Sequence, residues 1–490
     1  MHARKHPMGQ RSAQRERLAC PKRSCKTMNT MDQLSRHALP YSVEDRRSAC
    51  PGLFRMAKAL DGSICRVKLT FGNLSAGQAR SVADAAQRFG NGVIEITNRA
   101  NLQIRGVRPE TENALIAQLL AAGLGPLTDK GDDVRNVMIS PIAGHSKGKI
   151  DVRPLATRLL TELQTNPRYE GLSPKFSLLI DGGEDLAMVD HPHDLWLCPI
   201  DPDNPSSAYA FGAAGAPPTQ AEDQPALGVV AGSQAFDLMT ITLDAFVDWN
   251  KRHPAASRMR HMITGARTEG LAERIETCAG FPVRSEELAG WRRALPKPNG
   301  HLGIWNECDG ATRLVGAMPK LGRLNPDLLR SLAGLADRYS NGILRMTPWQ
   351  SVLLPEVSRD DATAALTDLV SLGLGADPEQ PLATMISCSG SAGCGSALAA
   401  TQADGLKLAA LLDGEADIPP IHMSGCSKSC ASPSARPVTL VATSTGHYDI
   451  FLRATNGPSR FGKLLAANVT IEEAAELIGR NSGSGGPLHA

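Results

Sequence analysis

Aromatic side chains make up only 4% of this 490-residue chain, so its cores have to be built from Ala, Leu, Val and Ile. Any run of about 18 apolar residues is missing too, which removes the usual signal of a membrane-spanning helix. The N-terminus lacks the apolar stretch of a secretory signal peptide. No sign of charge dominates: the net charge is +2, so an anionic ligand must be met by local charge rather than by a global field. The 11 cysteines are an odd number with no general pairing pattern, which argues against a secreted disulfide framework and for a reducing cytoplasm.

What is present is concentrated near the C-terminus. Cys388, Cys394, Cys426 and Cys430 are spaced C-x5-C, a 31-residue gap, then C-x3-C, within the segments CSGSAGC and GCSKSC. Two close pairs on adjacent loops can converge four thiolates on a 4Fe-4S cube, and the surrounding glycines and serines let the backbone approach. Zinc and disulfides are the competing readings; structural zinc prefers shorter spacings, and neither pair encloses a histidine. Cys20, Cys25, Cys50, Cys65, Cys198, Cys278 and Cys308 show no comparable arrangement.

The chain also repeats itself. Residues 72–97 laid over 322–347 at an offset of 250 give ten identities in 26 positions, among them Gly72/Gly322, Arg80/Arg330, Ala86/Ala336 and Asn91/Asn341. Chance would give roughly two at background residue frequencies. An internal duplication follows. The first copy reads as a strand from Ile64 to Leu69, a helix with Ser75 as N-cap running to Phe89, a turn at Gly90-Asn91-Gly92 and a strand from Val93 to Ile96. A further strand, Leu102 to Val107, alternates so that Gln103 and Arg105 share one face, as Arg66 and Lys68 do on the earlier strand. Such basic faces meet either a ligand or plain solvent.

A second echo, Met138-Ile139-Ser140-Pro141 against Met385-Ile386-Ser387-Cys388, gives the order A-B-A′-B′ with cluster cysteines only in B′. The expected organisation is a basic extension over residues 1–45, a first repeat over 46–125, a first α/β domain over 130–290, a second repeat over 298–375 and a cluster domain over 380–480. Residues 201–226, rich in Pro, Ala, Ser and Gly, read as a loop. Thr470-x-x-Glu473 is a capping box that opens a last helix ending near Gly479, before a disordered tail. The first 27 residues carry eight Lys or Arg against one acid, Glu16, which suits a nucleic-acid arm, a mitochondrial-type leader or, as the favoured reading, a start mis-set upstream of Met28 or Met31, with disorder in each case.

These residues resemble the nitrite and sulfite reductase superfamily. The cysteine spacing after two repeats, TNRANLQIRGV from Thr97, VRNVMISPIAG from Val134 and SPKFSLLIDGG from Ser173 are similar to that family's motifs over roughly residues 48–480. The resemblance implies an α+β, pseudo-twofold architecture of ferredoxin-like half-domains and two α/β domains, a 4Fe-4S cluster on the four cysteines, and tetrapyrrole- or substrate-binding roles for Arg66, Lys68, Arg99, Arg105, Arg135 and Lys175. The carboxylate rim of a tetrapyrrole needs such convergent cations.

One departure is informative. Sirohaem reductases have K-F-K where this chain has Lys175-Phe176-Ser177, and losing a cation beside a small anion disfavours its reduction. The opening ACPGLFRM at Ala49, DGSICRVKL at Asp61 and the overall length are similar instead to the precorrin-3B synthase subgroup. There the tetrapyrrole precorrin-3A is substrate, hydroxylated at C20 by O2 with γ-lactone formation in aerobic cobalamin biosynthesis. Reducing equivalents come from NADH or NADPH through a donor protein, and a mononuclear non-haem iron is implied. His193 with Asp194, or His422, are candidate ligands for that iron, without a triad pattern strong enough to assign it. A sirohaem-dependent sulfite or nitrite reductase and a non-catalytic iron–sulfur protein are the alternatives. Neither nucleic acid nor membrane is an expected partner.

Overall fold

The computed structural model of the chain describes residues 50–146, 149–265, 271–284, 288, 290–307, 310–432, 434–453 and 459–482. The expected basic extension, the glycine-rich tail, Cys20, Cys25 and Cys308 lie outside the described residues. Four five-stranded sheets carry the architecture, and they are α+β as expected.

The first repeat forms as its sequence dictates. Ser75 accepts from the Gln78 backbone N–H while the Gln78 side chain accepts from the Ser75 N–H, a reciprocal cap that starts helix Ala76–Phe89. Asn325 caps the second copy, Pro326–Tyr339, with proline in its first turn. The two helices pack against each other and bridge at their exposed edges through Arg80 with Asp337 and Arg330 with Asp84. Ala79, Ala83 and Ala86 of the first and Ala333 and Ala336 of the second are fully buried in one core, where small side chains keep a core poor in aromatics dense. Strand Leu102–Val107 has the expected bounds and buries Leu102 and Ile104 in this core, while the other strands of the copy are Gly62–Val67 and Ile94–Ile96.

The repeats are not independent. The first sheet runs Ala57–Ala59, Gly62–Val67, Leu102–Val107, Ile94–Ile96 and then Arg323–Leu324 from the second copy. The second runs Gly303–Asn306, Thr312–Ala317, Val352–Ser358, Ile343–Met346 and then Asn73–Ser75 from the first. Each copy therefore lends one short strand to its partner, with Arg323 paired to Glu95 and Asn73 to Arg345. The lent strands leave matching turns in which Phe71 and Leu321 adopt φ of 55° and 48°. In the first turn only glycine fits next, because a Cβ on Gly72 would lie 2.3 Å from the Met346 carbonyl oxygen.

The other two sheets repeat one topology. Val137–Met138, Leu178–Ile180 and His193–Pro199 run parallel, followed by antiparallel Tyr209–Gly215 and Gly228–Val230. Ile386–Ser387, Ile421–Ser424 and Val438–Ser444 run parallel, followed by antiparallel His447–Leu452 and Lys463–Thr470. Residues 201–226 are thus not simply a loop, as their composition suggested: 209–215 are an internal strand. Its small residues are a packing requirement, since a Cβ on Gly212 would sit 2.2 Å from the Trp196 ring on the paired strand. The capping box is present, with Thr470 and Glu473 exchanging hydrogen bonds at the start of helix Ile471–Ser482, which runs three residues past Gly479. Among the described residues no helix is long and apolar enough to cross a membrane.

Candidate functional site

The parallel strands of the C-terminal sheet deliver the cysteines. Cys388 follows Ile386–Ser387, and Cys426 follows Ile421–Ser424, so both pairs leave the same sheet end. The four cysteines lie in one neighbourhood: burial, then Cys426, Cys388 and Cys394, push the Cys430 thiol up. Around them, the Gly425 N–H donates to Cys388 Sγ at 3.2 Å, and a Cβ on Gly425 would come within 2.6 Å of the Ala397 Cβ. Soft donors, N–H···S contacts and a small-residue cradle fit an iron–sulfur cube.

A cleft opens where the first repeat meets the first α/β domain, lined by Leu69, Phe71, Arg99, Asn101, Arg135, Ser177 and His193 among others. Arg99 donates to the Lys175 carbonyl at 3.3 Å, and its guanidinium is lowered to about 10 by burial and by Arg66 and Arg258. Arg66 donates to Gln103 at 2.9 Å and is lowered by burial as well. Among the described residues neither has a carboxylate partner, whereas Arg258 is paired with Asp194 at 2.9 Å. Crowded cations without anions call for an anionic ligand.

Beside Arg99 and Arg135, the lining contains the neutral polar residues Ser177 and His193. The hydroxyl of Ser177 and both ring nitrogens of His193 are buried without a hydrogen-bond partner. His193 lies well below its ordinary value through burial, His191, Arg99 and Arg258, and His191 is held at about 3 by burial and Arg99 among others. Both imidazoles are neutral at physiological pH.

The expected basic residues divide. Arg66 and Arg99 come together and Arg135 reaches the cleft wall, though it also donates to Asp132 and to the Leu124 and Gly125 carbonyls. Lys175 is exposed at the edge. Lys68 turns away to donate to the Asp132 and Asp133 carbonyls and is lowered to about 7 by burial. Arg105 is directed elsewhere, with its donors taken by Asp61, Glu95, Ser389 and Gly393. The candidate iron ligands are not assembled: the Asp194 carboxylate accepts from Ser177 N–H, Arg258 and Met259 N–H. His422 lies on an internal strand, and among the described residues no three His, Cys, Asp or Glu side chains are set around one metal ion. Arg258 and His191, which the sequence reading did not single out, carry no local motif; only the fold brings them to Arg99.

Comparison with known proteins gives the family. The Nitrite/Sulfite reductase ferredoxin-like half domain matches residues 57–122 and 308–372, and the Nitrite and sulphite reductase 4Fe-4S domain matches 130–282. The ferredoxin–nitrite reductase of Zea mays chloroplasts is 30% identical over 82% of this chain and 73% of its own length. The precorrin-3B synthase of Sinorhizobium sp is 26% identical over 90% of each chain. Among solved structures, the NirA protein of Mycobacterium tuberculosis superposes with a TM-score of 0.70 at 20% identity, covering 87% of this chain and 82% of that one, a likeness of fold. The duplicated half-domains and the relatives together establish that this chain belongs to the nitrite/sulfite reductase superfamily of iron–sulfur oxidoreductases.

Proposed function

We propose that this protein is a precorrin-3B synthase, a cytoplasmic monooxygenase that hydroxylates precorrin-3A at C20 and allows the ring A acetate to close a γ-lactone. One atom of O2 enters the macrocycle and the other leaves as water, with two electrons and two protons drawn from a nicotinamide or a ferredoxin-type donor. The observation that carries this reading is the residue at position 177: a serine stands at the second lysine of the reductase motif, among the residues that line the cleft together with neutral His193. A site without that second cation is poorly matched to a small oxyanion, while a large polycarboxylate can satisfy Arg66 and Arg99 at its periphery. The matched share, 90% of each chain, supports the same subgroup.

Within this reading Arg99 and Arg66 bind substrate carboxylates, Arg135 shapes the wall, and Lys175 and Lys68 play at most outer roles. Ser177 and His193 supply hydrogen bonds to a substrate polar group that reaches them, each unpartnered atom otherwise costing about 1–3 kcal/mol. The 4Fe-4S cluster, held by Cys388, Cys394, Cys426 and Cys430, supplies one-electron transfer between donor and site when bound.

The competing reading, a sirohaem-dependent nitrite or sulfite reductase fed by ferredoxin, is favoured by the 30% identity to the maize enzyme. Anaerobically purified protein decides. Given precorrin-3A, reductant and 18O2, it should yield a labelled hydroxylated product and leave nitrite and sulfite unreduced. Sirohaem absorption bands with anion reduction and no labelled product would refute the proposal.

A further inference from the structure

Arg105 is 3% exposed and makes five hydrogen bonds, none to a ligand cleft. Its Nε and one terminal nitrogen each meet the Asp61 carboxylate at 2.9 Å, and the other meets Glu95 at 3.3 Å. The remaining two reach into the C-x5-C segment itself: Ser389 Oγ at 2.8 Å and the Gly393 carbonyl at 2.9 Å. Glu95 in turn accepts from Ser389 Oγ at 3.1 Å and from Arg323 at 3.0 Å, and Arg323 donates to the Ser389 carbonyl at 3.3 Å. Gly393 is glycine because the guanidinium lies on it; a Cβ there would be 2.3 Å from the nearer terminal nitrogen of Arg105.

Two carboxylates and two guanidiniums thus form a neutral network whose contacts fall on the residue after Cys388 and the residue before Cys394. Three chain regions meet in it: the first repeat through Asp61, Glu95 and Arg105, the lent strand through Arg323, and the cluster segment. A guanidinium that grips both ends of a ligand loop fixes the loop's conformation and sets the local potential.

We propose that Arg105 is a positioning residue for the iron–sulfur cluster, and that with Glu95 it tunes the cluster's reduction potential. This rests on the placement of the cluster on the four cysteines and not on the identity of the substrate. Removing the cation leaves Asp61 and Glu95 beside the cluster and disfavours the added electron; neutralising Glu95 does the opposite.

The test is a redox titration of anaerobically purified protein, followed by electron paramagnetic resonance, with iron and sulfide measured alongside. Arg105→Met should lower the midpoint potential and speed cluster loss to a chelator by about tenfold or more, while Glu95→Gln should raise the potential. Arg345→Met, which removes a buried arginine at the duplicated position away from the cysteines, should leave the potential as in wild type. Should Arg105→Met fail to fold, Glu95→Gln alone decides. Unchanged potentials in Arg105→Met and Glu95→Gln, or equal shifts of one sign in all three variants, would overturn the proposal. Wild-type protein lacking iron and sulfide would instead refute the cluster placement itself.

Discussion

At residue 95 the chain places a glutamate, and 250 residues later, at the equivalent point of the second copy, an arginine. Glu95 pairs with Arg323 of the lent strand and faces the cluster loop. Arg345 pairs with Asn73 of the other lent strand, donates to Asn73 Oδ1 at 2.8 Å, to the Pro141 carbonyl and to His145, and is lowered to about 10 by burial. Pro141 stands where the second copy has Cys388. Both junctions use an arginine to hold the carbonyl of the loop that follows Met-Ile-Ser, so the duplication kept the mechanical link. Around the cysteines four charged groups meet in direct contact; at the other junction the guanidinium meets neutral acceptors, and the carboxylate of Glu307 reaches it through His145.

The largest effect should come from the cysteines. Cys388→Ser, Cys394→Ser, Cys426→Ser and Cys430→Ser are each expected to lose or convert the cluster, read as iron and sulfide per chain, whereas Cys65→Ser, in the repeat core, should keep wild-type content. Next come the two junctions. Glu95→Ala takes the carboxylate partner from Arg323 and leaves Arg105 with Asp61 as its remaining one, and should cost about 3 kcal/mol, the low end for breaking a buried ion pair; Arg345→Met leaves mainly unsatisfied acceptors and should cost about 1–2 kcal/mol. Denaturant midpoints of the two variants check the order, and equal losses would erase the proposed difference between the junctions.

The inner sheet faces offer a similar comparison. Trp196 pairs with Gly212 in the first α/β domain; with Met138 aligned on Met385, the register puts Val438 with Leu452 at the equivalent pair of the second, two aliphatic residues that need no glycine. Gly212→Ala should therefore destabilise by about 1–3 kcal/mol through displacement of the Trp196 ring. Thermal unfolding of Gly212→Ala alone and combined with Trp196→Phe should show partial recovery in the pair.

The last effect is a pH dependence. Lys68 falls from an unfolded value near 10.5 to about 7 when buried, so above pH 7 the unfolded chain holds a proton that the folded one has released. Stability contributed at this residue rises with pH, by about 1.4 kcal/mol per unit between 7 and 10.5. The stability difference between wild type and Lys68→Met should grow in favour of wild type from pH 7 to 9; a flat difference would contradict it.

Local chemistry was legible in the sequence. Ser75 with Gln78 and Thr470 with Glu473 satisfy each other within three residues, so the helix starts could be read directly. The alternation of Leu102–Val107 showed Arg105 facing away from the core, but its partners Ser389 and Gly393 lie 284 and 288 residues away, and nothing local distinguishes a cluster-loop contact from a substrate contact. Residues 209–215 misled because glycine and alanine signal a loop by composition, and the reason for their size is a tryptophan on another strand. The convergence of Arg66, Arg99 and Arg258 is likewise tertiary, with Arg258 outside every recognisable motif.

The exchange of strands between the two repeats also governs how the protein is made. The first sheet cannot be finished until Arg323 and Leu324 arrive, although its preceding strand partner, Ile94–Ile96, was synthesised more than two hundred residues earlier. At roughly 5–20 residues per second of translation, that sheet waits on the ribosome with an open edge for about 10 to 45 seconds. A break introduced between the repeats should leave each fragment with an unfilled edge strand that only the other fragment fits, so the halves, made separately, are expected to recover activity only when expressed together.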